Sequence, residues 1–590
     1  MPPIPSMSYE SSASGEETLS DRMQSLDVSI NHPGLSSDRV SSVKSVMLAR
    51  INTTNTLTDV LEDVAQEGNI SLVKAAIALG ADPVFRSSSK LKKVKHEALT
   101  RATLNGQAKV VDYLLRRGAT YGQASKKDTF TPLDKALLAA AYKEHVDLVA
   151  CLIHSHGANP LVEQWPREMN DMQHYWAESQ VRLPKSSVMD AISKWNDIAQ
   201  GMKVVKIIMQ HSLFRPDALV AGVFDTKSEL QSADFGHRPW HTTYEYSALS
   251  CFVRAGWADA VDLMLKANVA VKEIEKEDEV LQYQDKVTCY VSPISALTKE
   301  TWEKRPEDAL RILKQLIDSK FSLGLVQRTA TDLGQRTALG RAISADAVQG
   351  IELILQSMPG LVRDELWFRR SKKETRALPL AAALSLECLE SARVLLRAGA
   401  HPRDPAFDNM NVLQYTAHQG GETCTAILRE MVELAPELVY STLDIAIARA
   451  NNDAVSILLD VISSAAAKGY IASLPPVYEM LLRCTNTDVD IEIKARYLHL
   501  VDTVVTWDAG RNLQRPQLPI IMLAIRGDNY LIVERLLQTD IVDGRTLGLN
   551  SKAHLPGDQG LWTMLECCEL TSRSAEWLGL LRSHGAPLYQ

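Results

Sequence analysis

The stretch TFTPLDKALLAAAYKEHVDLVACLIHSHGANP, residues 129–160, encodes two short helices and the devices that start and stop them. Thr131 is placed to cap the first helix by accepting a backbone N–H, and Pro132 suits the first helical position, where no donor is needed. Leu133 is expected to be the first core residue. Val146, Leu148, Val149, Leu152 and Ile153 recur at the helical period and predict the buried face of a second helix. Gly157 can take the left-handed conformation that ends this helix, and Ala158 packs where a larger side chain would not fit.

The closing signal returns along the chain, as Gly80-Ala81-Asp82-Pro83, Gly118-Ala119, Gly399-Ala400-His401-Pro402 and Gly585-Ala586-Pro587. Successive copies at Gly80, Gly118 and Gly157 lie 38 and 39 residues apart. Upstream of the first, Leu61, Val64 and Ala65 form one apolar stripe, and Leu72, Val73, Ala76 and Ile77 form the next. A second full copy, LPLAAALSLECLESARVLLRAGAHP, spans residues 378–402, and weaker copies begin near residues 247, 292, 336, 411, 441, 518 and 561.

This layout resembles the ankyrin-repeat family, whose unit of about 33 residues is slightly shorter than the spacing here. The resemblance covers most of residues 58–590 and is similar to the degenerate arrays of fungal ankyrin-repeat regulatory proteins. It implies an all-α solenoid of about a dozen helix-turn-helix units over residues 46–590. Inserted loops are expected at about 161–187, 214–246 and 540–560. The family places a His after the Thr-Pro-Leu motif, where it ties adjacent repeats together. Here that place holds Asp134, Ser250, Ser295, Gly340, Ala381 and Asp444, which predicts an irregular ladder and stability from apolar stacking.

Residues 1–45 are rich in Ser, Pro and acidic residues and poor in large apolar ones, so a disordered tail is expected there. The 590 residues are 45% hydrophobic, enough for a folded chain but too many for one core. A net charge of -8 gives no whole-chain field for nucleic acid or an anionic membrane. No apolar run reaches the roughly 18 residues of a membrane span. Eight cysteines without a CxxC pair read as reduced, core-type usage, which points to cytoplasm and/or nucleus. Of the adjacent Cys567 and Cys568, one is expected to pack in the core.

Chemistry-bearing motifs are scarce. P-loop, GxSxG, GxGxxG, HExxH and kinase signatures are absent, so no cofactor and no enzymatic activity are expected. His237, His241 and Glu245 would align on a helix as metal ligands, but Pro239 argues against that helix. His145, His154 and His156 read as solvent-facing or capping histidines near a helix end. Candidate partner-binding residues are the insertion aromatics Trp165, Trp176, Phe235, Trp240, Tyr244 and Tyr246, with packing back onto the array as the alternative. Lys92, Lys93 and Lys95 form a candidate nuclear-import signal, and Arg369, Arg370, Lys372 and Lys373 form a second basic cluster.

The expected function is a protein-protein interaction scaffold or regulatory adaptor, which binds a protein partner through the concave face and loops. The alternatives are a nuclear transcriptional coregulator acting through a DNA-bound factor, without nucleic-acid contacts of its own, and an enzyme with its site in the aromatic insertions.

Overall fold

The computed structural model describes residues 45–46, 57–83, 98–119, 131–161, 187–212, 214, 219–222, 241–267, 281–283, 286–323, 337–370, 373–467, 496–497, 499–504, 507, 518–526, 529–538, 552–554, 561–571 and 573–584. They are mostly helical. The chain divides into two compact units, residues 1–301 with 305–331, and residues 302–304 with 332–590.

In the first unit, short helices come in antiparallel pairs: α1 (Leu57–Glu67) with α2 (Ile70–Ala78), α3 (Ala98–Leu104) with α4 (Ala108–Arg116), and α5 (Pro132–Tyr142) with α6 (Val146–His154). Two more follow, α7 (Val188–Ser193) with α8 (Ile198–Met209) and α9 (Ala248–Ala255) with α10 (Ala258–Lys266). A 3₁₀ turn (Ile294–Ala296) and α12 (Pro306–Asp318) come last, and α11 (Lys299–Lys304) between them belongs to this unit only up to Thr301. First helices pack in a row, α1 on α3, α3 on α5, α5 on α7 and α7 on α9, while α8 lies between α6 and α10 in a second row.

The second unit repeats the plan with α13 (Ala338–Ser344) and α14 (Val348–Ser357), α15 (Pro379–Ser385) and α16 (Leu389–Arg397), α17 (Val412–Gln419) and α18 (Glu422–Leu434), and α19 (Val439–Ala448) and α20 (Asn452–Ala467). Two later pairs are α21 (Leu518–Arg526) with α22 (Tyr530–Gln538), and α23 (Met564–Glu569) with α24 (Ser574–Ser583). Here α13, α15, α17 and α19 form one row and α14, α16, α18 and α20 the other.

The two rows differ in burial, which follows from their sequence. First helices are covered on nearly every side, as with the continuous buried run Ala136–Ala141 in α5 or residues 248–253 in α9. A helix buried all round must carry small side chains so that two neighbours can approach it, hence the Ala and Ser content. Second helices bury one stripe, such as Leu148, Val149, Leu152 and Ile153. Leu133 and Val146 depart from expectation, since both are only half-buried, and Pro132 is the first covered residue of α5.

Helix ends behave as the closing signals predict. Gly80, Gly118, Gly157 and Gly399 all have positive φ, between 67° and 100°, and the alanine after each is buried. The alanine N–H reaches five residues back in Ala81 to Ala76, Ala119 to Leu114 and Ala400 to Leu395, and six back in Ala158 to Leu152. At helix starts Thr131 accepts from the Asp134 N–H, while the Asp134 carboxylate accepts from the Thr131 N–H at 3.1 Å.

The expected loop at 214–246 contains strands instead. β1 (Leu219–Gly222), β2 (His241–Ser247), β3 (Leu281–Tyr283) and β4 (Lys286–Val291) form a sheet in the order β1-β2-β4-β3. β2 runs straight into α9 and β4 into the 3₁₀ turn that follows, so the pair α9–α10 is the crossover that makes β2 and β4 parallel neighbours. Two antiparallel hairpins serve as connectors in the second unit: β5 (Leu366–Arg370) with β6 (Lys373–Ala377) before α15, and β7 (Lys552–His554) with β8 (Leu561–Thr563) before α23. The expected loop at 540–560 thus also contains a strand. Residues 1–44 of the expected tail lie outside the described residues.

Candidate functional site

The turn inside each pair presents one edge of the stack, and its geometry is set residue by residue. Gly68, Gly106, Glu144, Gly256, Asp346, Glu387 and Ala450 all occupy positive φ between 50° and 77°. The residue after each donates its N–H five residues back, as in His145 to Ala140, Cys388 to Ala383 and Asn451 to Ala446. That residue also begins the second helix, and in Gln107, His145, Trp257 and Asn451 its side chain reaches the preceding pair.

A hydrogen-bonded ladder results. His145 Nε2 lies 3.2 Å from the Leu104 carbonyl, which places its proton on Nε2, and Asn451 Nδ2 donates to the Ala417 carbonyl at 2.8 Å. Nearby side chains extend the pattern: Trp195 Nε1 donates to Ala141 O at 2.6 Å, Thr301 Oγ1 to Arg254 O at 2.7 Å, and Tyr497 Oη to Ala448 O at 2.9 Å. In the second unit, the Asp346 carboxylate accepts from both the N–H and the hydroxyl of Ser391, at 2.7 and 2.6 Å. Apart from the Asp346 carboxylate, the acceptors are carbonyls in the last turn of a first helix, where few intrahelical donors remain.

Three of the residues that stand three positions into a first helix, Asp134, Ser250 and Ser295, turn back on their own caps. Asp134 closes on Thr131, Ser250 Oγ lies 2.8 Å from Ser247 Oγ, and Ser292 Oγ donates to Ser295 Oγ at 3.1 Å. The ladder is chemically irregular, as expected, but it exists, and it is carried by the opposite end of the first helix. Sequence reasoning missed these donors because no single residue type marks the position. His145, read as solvent-facing or capping, makes no side-chain cap and bridges pairs instead; His154 is exposed, and His156 Nε2 lies 3.7 Å from an Asp112 carboxylate oxygen.

One open groove of about 780 Å³ lies on this edge of the second unit. Its walls come from the turn Gly420-Gly421, the turn from Arg449 to Asn452, and Arg496, Tyr497 and His499. Gly420 and Gly421 have φ of 66° and 85° with extended ψ, a conformation open only to glycine, and Gly421 starts α18 without a side-chain cap. Asn451 braces the floor, accepting from the Ala454 N–H while it donates to Ala417. Arg449 is exposed, and no carboxylate among the described residues pairs with it. Behind the wall, burial and then Glu387 push the Cys424 thiol up to about 11, so it is neutral and unreactive.

Of the aromatic candidates, Tyr244 and Tyr246 fall on β2, opposite Gly222 and Val220 of β1 and Cys289 and Val291 of β4. Trp165, Trp176, Phe235 and Trp240 lie outside the described residues, as do Lys92, Lys93 and Lys95. His241 and Glu245 sit on the same strand, so the helical ligand face is not formed, and His237 lies outside the described residues. No group of three or more metal-ligating side chains occurs among the described residues. Arg369, Arg370 and Lys373 belong to the β5–β6 hairpin. Cys567 and Cys568 are both fully buried, against the expectation of one, because α23 packs against α21 as well as α24. Among the described residues, no helix is long and apolar enough to cross a membrane.

What these features define is a mostly helical protein of stacked helix pairs with a hydrogen-bonded turn edge. No protein-family model matches the chain, and no curated protein matches it.

Proposed function

We propose that the chain is an ankyrin-type repeat protein that acts as a protein-protein interaction scaffold or regulatory adaptor in the cytoplasm or nucleus. The observation that carries the reading is the recurrence of one unit in both halves of the chain: a capped first helix, a left-handed turn, an amphipathic second helix and a left-handed closure. Pairs that bury their first helices between neighbours leave turns and connectors as the surfaces free to vary, and loops on a rigid scaffold are where recognition resides. The sheet-bearing insertion with Tyr244 and Tyr246 and the turn edge of the second unit are the two surfaces of this kind. The chain needs no chemistry of its own in this reading.

Cross-linking mass spectrometry on complexes captured with the full chain tests the proposal. Cross-links concentrated at the connectors and turn edges are the expected result. A chain that purifies without any stoichiometric protein partner, or whose cross-links fall only on the outer stripe of second helices, would count against it. Substitutions are preferable to removal of residues 214–246, since that cut deletes β1 and most of β2.

A further inference from the structure

The β5–β6 hairpin is a third surface built from a connector, and its charge runs against that of the chain. Its strands carry Arg369, Arg370, Lys373 and Arg376 against the single carboxylate of Glu374, a net charge of +3 in a chain at -8. An isolated two-stranded hairpin is marginally stable at best, so its base must be held by the array. β5 packs on α13 and α15, and β6 runs through Leu378 into α15. Leu366 and Ala377, opposite one another at the base, are both buried.

The register sorts the charges. Residues opposite one another in a ladder share a face, and successive residues alternate between faces. Trp367–Arg376 and Arg369–Glu374 therefore fall on the face away from the buried pair Leu366–Ala377, and Arg376 is exposed. Arg369–Glu374 sets opposite charges in register, which favours the hairpin. Arg370–Lys373, the last pair of the ladder, is the reverse: two cations are held opposite each other, where like charges destabilise. A sequence selected for the hairpin alone would place a carboxylate at one of these positions, as it does one step away at Glu374. Cations on strand edges also deter pairing with other strands, but that role does not call for two of them face to face. An anion that neutralises both gives the pair a purpose.

We propose that the β5–β6 hairpin binds an acidic segment of a protein partner, whose carboxylates lie across Arg370 and Lys373 where the register sets these two cations opposite each other. The proposal rests on the interaction-scaffold reading and names the partner chemistry of one connector. Strands of this length reach about 17 Å, enough for a few acidic residues. A nucleic-acid strand carries charge along its whole length and would meet the acidic balance of the rest of the chain, whereas a short peptide concentrates its carboxylates at the hairpin. Trp367 shares a face with Arg376, and both are residue types that anchor protein interfaces, so apolar residues are expected among the carboxylates of the partner segment.

Fluorescence anisotropy tests this with the full chain and three probes: short degenerate peptides of Asp, Glu, Leu and Phe, twins with Asn and Gln in place of the carboxylates, and a single-stranded oligonucleotide. Acidic peptides should bind at least tenfold tighter than their neutral twins, and less tightly as salt rises. Lys373→Glu turns the like-charge pair into an ion pair, so Tm should hold or rise while acidic-peptide binding falls at least tenfold. Arg370→Gln, which removes one cation without adding an anion, should give part of that loss. Lys109→Glu, the same charge change at an exposed site in the first unit, should leave binding unchanged. Equal binding of acidic and neutral peptides, no binding by any peptide, or the same loss in Lys373→Glu and Lys109→Glu overturns the proposal. A Lys373→Glu chain that aggregates but binds acidic peptides normally would also overturn it and give the cations to edge protection alone. Preference for the oligonucleotide would overturn the protein assignment. Captured partners that Lys373→Glu retains, with no peptide bound, would remove this site and leave the scaffold reading standing, whereas a chain without partners would remove that reading itself.

Discussion

Glu144 and Glu387 sit at φ 59°, a region that costs a side-chain-bearing residue about 1–2 kcal/mol and glycine almost nothing. Gly68 and Gly106 fill the equivalent turns of the first two pairs. Glu144→Gly should therefore raise stability by about 0.5–1 kcal/mol after glycine's greater unfolded-state entropy is counted. Asp346, at φ 50°, is the contrasting case, because its carboxylate holds the N–H and hydroxyl of Ser391. Asp346→Gly should lose roughly 1–2 kcal/mol despite the relaxed backbone, since two charge-assisted hydrogen bonds vanish. Urea titration of the two variants would separate them by sign. The thiols give a second residue-scale prediction. Burial pushes Cys567 up to about 11 and Cys568 up to about 12, and it raises Cys251 as well, with Asp190 adding to the effect. These groups should resist alkylation near pH 8 in the native protein and react on unfolding. The folded values lie above the unfolded value of about 8.5, so the stability they contribute is fully present below that pH and is lost as pH rises through the folded values.

At the scale of the element, Gly201 and Trp257 show how one pair registers against the next. A Cβ on Gly201, in α8, would run into Cη2 of Trp257, the residue that starts α10. Gly350 stands in the same relation to Trp302 at 2.6 Å. Gly201→Ala should destabilise by about 1–3 kcal/mol through overpacking, although alanine favours the helix itself. Trp257→Leu should relieve most of that penalty in a double-mutant cycle, and a purely additive result would rule out the contact as its source. These glycines show where reading the sequence ends. Caps, left-handed closures and amphipathic stripes are local, so Thr131, Gly157 and Leu152 declare themselves in the chain. The sheet did not, although HTTYEYS has the β-branched and aromatic content of a strand, because β2 gains its parallel partner only when α9 and α10 fold between them. The ladder was equally hidden: His, Gln, Trp, Thr, Asn and Tyr reach the same kind of carbonyl by different routes. Only the pairing of turns in space gives them a common role.

At the scale of the whole molecule, each pair within a unit packs mainly on the pair before and the pair after it. Stability then behaves as a sum of pair and neighbour terms, and damage stays local. Asn451 is the place to test this, because it joins α17 to the start of α20 and lies far along the chain from the first unit. Asn451→Ala removes an N-cap and an inter-pair bond, a loss of about 1–2 kcal/mol. Hydrogen exchange should quicken in α17 to α20, with α1 to α8 keeping their protection. Uniformly faster exchange over the whole chain would mean that the two units unfold as one cooperative body, and the neighbour-by-neighbour account would fail.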